Sequence, residues 1–332
     1  MKNLTQFVPR GVNGIHAAEF EFKEQVLDQM KKLFKKHQYR QVEPPIFEYY
    51  DLFTQIEGTM NKDDMIKLID TDGKILVLRP DATIPIARMV AADYKNEPVQ
   101  KFSYITNIFR MNDDLQNIQS REFTQAGIEL FGKDGVKTDV EIICLAIETL
   151  KETGVKDFTI DIGQANFFKK LIEQMNLQNE QFDEVQRLIE DKNFAELRCF
   201  VEALSISDKQ KYALQSIPAL YGEPEKVFAK ARDVAINDEM KKEIKHVKKV
   251  YEQLAEKGCG RHVMIDLGII NHLNYYSGIV FHGYVAGYGQ PVLLGGRYDK
   301  LTSRFGVDKK AIGFAVYVDH LIAAIEVQKE AD

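Results

Sequence analysis

Residue types that can do chemistry are densest in the segment REFTQAGIELF, residues 121–131. Side chains of an extended strand alternate between two faces, so Arg121, Gln125 and Glu129 share one face with Gly127. One interpretation is the floor of a polar ligand pocket, in which Gly127 leaves room for a ligand bonded to Glu129 and Gln125. The other is the solvated outer face of an edge strand, and the pattern alone leaves both open.

Three further segments carry candidate residues. Arg110 ends the preceding predicted strand, where an arginine either clamps an anion through paired hydrogen bonds or is simply exposed. Asp81 and Thr83 lie in a loop that enters a helix, so either can cap that helix, and a carboxylate there can also hold an ammonium group. The run GGRYD at 295–299 lacks the spacing of a dinucleotide-binding loop and is interpreted as a tight turn before a short helix.

The remaining sequence excludes several classes of function. The seven histidines show no metal-ligand spacing, and P-loop and nucleophile-elbow motifs do not occur, so we expect no metal and no cofactor. Three widely spaced cysteines argue against a disulfide framework and fit a reducing cytoplasm. A net charge of −6 disfavours a broad nucleic-acid surface, and no apolar run is long enough for a membrane span or a signal peptide.

Hydrophobic periodicity predicts the elements that must position these candidates. An amphipathic helix is expected near the N-terminus, followed by paired strands over 101–110 and 121–131, and strands return from residue 262. The stretch between them has helical periodicity and many charges. We therefore predict an α+β fold with one antiparallel sheet flanked by helices, built from two separate parts of the chain and interrupted by a helical insertion domain. The predicted boundaries are 1–165 and 259–332 for the sheet domain and 166–258 for the insertion.

Several sequence blocks resemble the catalytic domain of class II aminoacyl-tRNA synthetases, and among these histidyl-tRNA synthetase. The blocks are similar to motif 1 (YRQVEPPIFE, 39–48), the Leu-Arg-Pro-Glu-x-Thr signature (LRPDAT, 78–83), motif 2 (IFR, 108–110, and REFTQ, 121–125) and two histidine-specific motifs (LNYYSG, 273–278, and GGRYD, 295–299). In that family motif 1 builds the dimer interface. The resemblance therefore implies a class II synthetase-like sheet and a homodimer through the motif 1-like region.

Departures from the family pattern fall on groups that the synthetase reaction uses. Asn271 stands where the family has a catalytic arginine, and His320 stands where motif 3 has an arginine that contacts ATP. Tyr317 fills a position that is usually glycine, and Asn112 replaces the glutamate of motif 2. The given sequence ends soon after His320, so we also expect no anticodon-binding domain. Because preorganised cations stabilise the charge that develops during amino-acid activation, the resemblance implies that this chemistry is lost.

The histidine-holding residues of the family are retained, with Asp81 as a shorter stand-in for glutamate. In the family they contact the ammonium, carboxylate and imidazole groups of the ligand, and Arg110 is added here as an anion contact. The implied histidine-binding residues are Asp81, Thr83, Arg121, Gln125, Glu129, Tyr275 and Tyr276.

A retained pocket without the chemistry resembles a paralogous family, the regulatory subunits of ATP phosphoribosyltransferase. The resemblance implies a non-catalytic chain that pairs with the short-form catalytic subunit at the first step of histidine biosynthesis. It also implies that the chain activates this partner and binds L-histidine for feedback inhibition, without tRNA or a membrane as partners. The alternatives are a histidyl-tRNA synthetase variant or fragment, and another class II paralogue that modifies a different amino acid or a protein.

Overall fold

Two sheets organise the chain, of which the computed structural model describes residues 8–56, 60–111, 120–270 and 275–331. The strands in chain order are β1 (Arg40–Gln41), β2 (Phe47–Tyr49), β3 (Lys67–Ile69), β4 (Ile75–Leu78), β5 (Gln100–Phe109), β6 (Glu122–Phe131), β7 (Phe158–Gln164), β8 (Tyr221–Gly222), β9 (Val263–Asp266), β10 (Ile279–Val285), β11 (Pro291–Arg297) and β12 (Ala311–Tyr317). The large sheet has nine strands in the order β1-β5-β6-β12-β11-β10-β7-β9-β8, and β2-β4-β3 form the small sheet.

The large sheet interleaves strands from both ends of the chain. β6 pairs with β12, and β7 pairs with β10, so strands from before and after the long helical stretch lie side by side. Pairing within the described strands of this sheet is antiparallel except at β1–β5 and β7–β9. The predicted α+β fold with one mainly antiparallel sheet is confirmed.

Helices pack on both faces of the large sheet and fill the chain between β7 and β9. They are α1 (Ala17–Lys36), α2 (Tyr50–Thr54), α3 (Thr83–Asp93), α4 (Val136–Glu152), α5 (Ala165–Ile172), α6 (Asn179–Glu190), α7 (Phe194–Ala203), α8 (Asp208–Ser216), α9 (Pro224–Val234), α10 (Asp238–Glu256) and α11 (Val318–Ala331). The short strand β8 interrupts α5–α10 and was not predicted. Within the described ranges, no helix combines the length and the apolar character that crossing a bilayer requires.

The two faces of the large sheet have different cores. On one face the buried stripe of α1, with Met30 and Phe34, belongs to the same apolar cluster as Ile128 and Leu130 of β6. Residues one position along β6 point the other way, since strand side chains alternate. That second face carries a smaller cluster rich in aromatic side chains, which includes Tyr104 of β5 and the residues of the candidate site.

A buried carboxylate fixes three elements to one another. Asp139 of α4 is fully buried and accepts hydrogen bonds from Arg297 Nε at 2.9 Å and Nη2 at 2.6 Å at the end of β11. His246 Nε2 of α10 lies 2.9 Å from the other Asp139 oxygen. Because a buried charge without a partner is strongly destabilising, this carboxylate ties the sheet, α4 and the helical stretch together.

The interpretation of 295–299 as a tight turn is wrong for its first half. Gly295, Gly296 and Arg297 lie inside β11 and pair with β10 and β12. A Cβ atom at Gly295 would overlap the ring of Phe281, and one at Gly296 would overlap the ring of Tyr276. These glycines therefore let aromatic side chains lie flat on the strand, which is a packing requirement rather than a turn requirement.

Candidate functional site

The site begins on β6, whose central position excludes the edge-strand interpretation of residues 121–131. β6 pairs with β5 on one side and β12 on the other, so its backbone groups are satisfied on both edges. Gln125 is 4% exposed and Glu129 is 2% exposed. A carboxyl and an amide so deeply buried require polar neighbours, which is the property expected of a pocket floor.

Glycines on three neighbouring strands make room for these polar groups. A Cβ atom at Gly313 of β12 would overlap the Glu129 carboxyl, which instead lies across that strand. At Gly127 of β6 a Cβ atom would overlap the ring of Tyr104, and Gly296 receives the ring of Tyr276 as described above. The three glycines therefore let the Glu129 carboxyl and two tyrosine rings lie against the sheet, and we refer to this polar part of the face as the recess. The predicted role of Gly127, room for a ligand, stays a prediction, because the Tyr104 ring lies over this glycine.

Glu129 is the centre of this recess. Thr83 Oγ1, at the start of α3, donates a hydrogen bond to Glu129 Oε1 at 2.7 Å, and the Tyr298 hydroxyl donates one to Oε2. Burial raises the pKa of Glu129 to about 8, the nearby Asp81 charge adds to this effect, and the two hydrogen bonds oppose it. Most Glu129 carboxyls are therefore protonated at neutral pH when the pocket is empty.

Asp81 and Arg110 form the side of the recess next to α3. Asp81 Oδ1 accepts a hydrogen bond from the Ile84 N–H at 2.8 Å in the first turn of α3, although the N-cap residue of this helix is Ala82 and not Asp81 or Thr83 as predicted. Burial raises the pKa of Asp81, against the influence of the backbone donors and of the Arg110 charge. Arg110 is half-buried, with Nε donating to the Pro80 carbonyl at 2.9 Å and the guanidinium 5.5 Å from the Phe123 ring centre. It is therefore not simply an exposed arginine.

Three tyrosines also border the recess. The rings of Tyr275 and Tyr276 lie 4.9 Å apart, and the Tyr275 ring lies edge-on to Tyr298 at 5.9 Å. Burial first, and then the Glu129 charge, raise the pKa of the Tyr276 hydroxyl, so it remains a neutral donor. Tyr298 was not among the predicted site residues, although it lies in the GGRYD block. Interpreting that block as a turn concealed the inward direction of its side chain.

Two predicted residues, Gln125 and Arg121, are not bonded to this group. Among the described residues, no hydrogen bond or ion pair joins the side chain of the buried Gln125 to Asp81 or Glu129, and the same is true of Arg121. Its carbonyl accepts a hydrogen bond from the Arg110 N–H at 3.0 Å, so it lies at the β5–β6 end of the same face, half-buried. The arrangement places cations at this end and carboxyls deeper in the recess.

Two departures from the synthetase pattern can be seen directly. The Tyr317 ring stacks on Phe123 with centroids 5.5 Å apart and an interplanar angle of 17°, and both rings are buried. His320 Nδ1 lies 3.2 Å from the Tyr288 hydroxyl, and its ring meets Tyr317 edge-on at 5.7 Å. Asn112 and Asn271, the other departures, lie outside the described residues.

No metal centre is found in the described part of the chain, where no three histidine, cysteine or acidic side chains are placed to hold an ion.

Comparison with known proteins identifies the family. The family model described as "Histidyl-tRNA synthetase" matches residues 11–321. A curated protein of Oceanobacillus iheyensis, named ATP phosphoribosyltransferase regulatory subunit, is 39% identical over 307 residues that cover 92% of this chain and 75% of that protein. The chain belongs to the family of ATP phosphoribosyltransferase regulatory subunits. A protein of Clostridium acetobutylicum with the same name is 38% identical, with 98% of this chain and 80% of that one covered.

Solved structures place the same family on the same fold. A Bacillus halodurans protein described as an ATP phosphoribosyltransferase regulatory subunit/histidyl-tRNA synthetase superposes with a TM-score of 0.87 at 32% identity, over 96% of this chain and 83% of that one. A histidine–tRNA ligase subunit of Alicyclobacillus acidocaldarius gives a TM-score of 0.83 at 23% identity, over 97% and 98% of the two chains, and shares the fold. The predicted resemblance to both families is confirmed.

The buried carboxyl of Glu129 gives a testable dependence of stability on pH. Because the folded pKa is about 8 and the ordinary value is 4.5, the stability that this group contributes is complete below about pH 4.5. It is lost as the pH rises through 8, at about 1.4 kcal/mol per pH unit. Glu129→Gln removes the titration. We expect the free energy of unfolding of the wild type, relative to this variant, to fall by several kcal/mol between about pH 5 and pH 9 in urea denaturation.

Glu122→Gln is the matched control, because Glu122 is exposed on the same strand. The unfolding free energies of the wild type and this control should keep a constant difference over the same pH range. A constant difference for Glu129→Gln as well would contradict the protonated, buried state of Glu129.

Proposed function

We propose that this chain is the non-catalytic regulatory subunit of a separate, short-form ATP phosphoribosyltransferase catalytic chain, at the first step of histidine biosynthesis. In this proposal the chain activates its partner, and L-histidine bound in the recess around Glu129 inhibits the pair. Family membership supports the partner. The observation that supports the effector site is the buried Glu129 carboxyl, to which Thr83 and Tyr298 donate hydrogen bonds and which lies against Gly313 of the neighbouring strand.

The chemistry of the recess matches the three polar groups of histidine. The imidazole is assigned to Glu129 and Gln125, and the ammonium group to Asp81, which carries a carboxyl near the helix start. The ligand carboxylate is assigned to the cationic end of the face, where Arg121 and Arg110 lie. Tyr275 and Tyr276 supply neutral hydroxyl donors and aromatic walls around the ligand.

The same geometry supports a chain without synthetase activity. Tyr317 and Phe123 cover each other, so the position that is a glycine in the synthetase pattern is filled by a ring. At position 320 an imidazole bonded to Tyr288 replaces the ATP-contacting arginine. Losing one preorganised donor of this kind commonly lowers kcat by about 10²–10³, so several losses together leave essentially no activation.

A second copy of this chain is proposed to cover the outer face of the small sheet. Phe47 is 56% exposed and Tyr49 is 49% exposed on β2, and Leu68 of β3 adds to the same face. Exposed large apolar side chains grouped on one face are typical of interaction surfaces. The position of β2 within the motif 1-like block supports a homodimer rather than another partner.

Histidine binding is tested first by removing the central carboxyl. Glu129→Ala deletes the group assigned to the imidazole, and loss of one partner of a buried, charged hydrogen bond typically costs about 2–5 kcal/mol. We expect calorimetry to show at least tenfold weaker L-histidine binding. Glu122→Ala, on the same strand and exposed, should bind like the wild type. Unchanged affinity in Glu129→Ala would exclude this pose.

The regulatory role is tested in the assembled enzyme. A Glu129→Ala chain mixed with wild-type catalytic subunit should still activate phosphoribosyl transfer, because the surface residues are intact, and should lose inhibition by histidine. The coupling free energy between an effector site and a separate active site is typically about 1–3 kcal/mol. We therefore expect inhibition of the variant complex to need roughly 5- to 150-fold more histidine than inhibition of the wild-type complex. Wild-type sensitivity in this complex would place the sensor on the catalytic subunit.

The absence of synthetase chemistry is tested by isotope exchange. The purified chain should show no histidine-dependent exchange of pyrophosphate into ATP, because the cations that stabilise the developing charge are replaced. An active histidyl-tRNA synthetase under identical conditions is the positive control. A robust exchange rate from the pure chain would favour the synthetase alternative.

Dimer formation is tested by placing a charge on the exposed apolar face. Phe47→Glu should convert the homodimer to a monomer in size-exclusion chromatography with light scattering, because burying an unpaired carboxylate at an interface is costly. Tyr212→Glu is the matched control, since Tyr212 is 57% exposed on α8, away from the small sheet. A wild-type chain that is already monomeric, or a dimeric Phe47→Glu variant, would contradict the proposed interface.

A further inference from the structure

A cavity of about 270 Å³ lies beside the Tyr275–Tyr276 pair and has a lining dominated by cations. Two segments supply the charge. Lys169 and Lys170 project from α5, and Lys300 and Arg304 follow β11. This grouping was not predicted from the sequence, because the two segments are about 130 residues apart along the chain.

Positive charge in this cavity is far from balanced. Among the described residues that line it, the one carboxylate is that of Glu173, which lies 2.7 Å from Lys170 Nζ and pairs with it. Lys300 and Arg304 are exposed and form no ion pair with any residue that the structure describes. Like charges held this close raise the free energy of the protein unless an anion binds between them.

Lys169 lines the cavity next to Tyr276. Its Nζ donates a hydrogen bond to the Tyr276 carbonyl at 2.9 Å. Burial, and then the neighbouring Lys300 charge, lower the pKa of Lys169. Lys169 and Lys300 both line this cavity. An anion bound there would interact with both side chains.

We propose that this cavity binds a small phosphate-bearing molecule, with Lys169, Lys300 and Arg304 around its phosphate. Three cations match a group that carries two or more negative charges, and arginine and lysine are the usual protein partners of phosphate. The volume lies at the small end of the range for ligand pockets. A concave site of this size accommodates a small molecule better than it accommodates an acidic segment of a partner protein, which would need an open groove.

The cavity also touches the proposed histidine pocket through the backbone. Lys169 bonds the carbonyl of Tyr276, whose ring lies on Gly296 within the recess. A phosphate ligand would therefore bind next to a wall of the effector pocket. Any coupling between the two ligands rests on the proposed function, whereas phosphate binding itself does not.

The full-length chain is tested by calorimetry with inorganic pyrophosphate and orthophosphate at constant ionic strength. We expect saturable binding to the wild type, tighter for pyrophosphate because it carries more charge. Lys300→Ala/Arg304→Ala should weaken this binding by about tenfold or more, since two contacts with the anion are removed. Lys245→Ala/Lys249→Ala also removes two exposed cations, from α10, and should bind like the wild type.

Four results would overturn the proposal. The first is no saturable binding to the wild type, and the second is equal weakening of binding in both double variants. The third is tighter binding of a polyglutamate peptide than of pyrophosphate. The fourth is loss of pyrophosphate binding in Arg121→Ala while Lys300→Ala/Arg304→Ala binds pyrophosphate like the wild type. The last would place the anion in the recess around Glu129. Glu129→Ala should bind pyrophosphate like the wild type, so failure of this proposal and failure of the proposed histidine site give different results.

Discussion

Burial of one carboxyl, that of Glu129, is the constraint on which the rest of the site depends. Moving such a group away from water is costly unless it stays neutral or is well bonded. Here both conditions are met, because the raised pKa keeps a proton on the group and the hydroxyls of Thr83 and Tyr298 donate to its oxygens. These donors come from α3 and from the end of β11, and Gly313 must lack a side chain for the carboxyl to fit. One polar group thus fixes the relative positions of a helix and three strands.

On the same face of the sheet, a tyrosine at position 317 fills a position that is usually glycine in the synthetase pattern. Tyr317 of β12 pairs in register with Gln125 of β6, and its ring stacks on Phe123. A ring at this position adds apolar contact to the aromatic cluster, so its replacement by glycine would lose packing. The recess and the filled position are neighbours on one continuous face, so the proposed ligand site and the proposed loss of synthetase chemistry involve adjacent parts of the same strands.

The sequence pattern predicted those features that depend only on residues close together in the chain. The alternation along 121–131 assigned Gln125, Gly127 and Glu129 to one face, and helical periodicity predicted the N-terminal amphipathic helix that is α1. Whether that face was a pocket or an outer edge depended on β12, which lies about 180 residues further along the chain, so the sequence pattern could not decide it. The role of Tyr298 and the cationic cavity depend on the same long-range pairing. The domain boundaries at 165 and 259 stay a prediction.

A carboxyl that keeps its proton until about pH 8 changes what the recess offers to the proposed ligand. The imidazole of free histidine has a pKa of about 6.5. Between about pH 6.5 and pH 8 the imidazole and the Glu129 carboxyl are therefore both neutral before binding, and the one titratable proton is on the carboxyl. On binding, that proton can pass from Glu129 to the ring and leave a carboxylate–imidazolium pair without exchange with solvent. At lower pH the complex must release a proton, and at higher pH it must take one up, so affinity falls on both sides. The balance between burial and two hydroxyl donors therefore sets the proposed effector site to work near neutral pH.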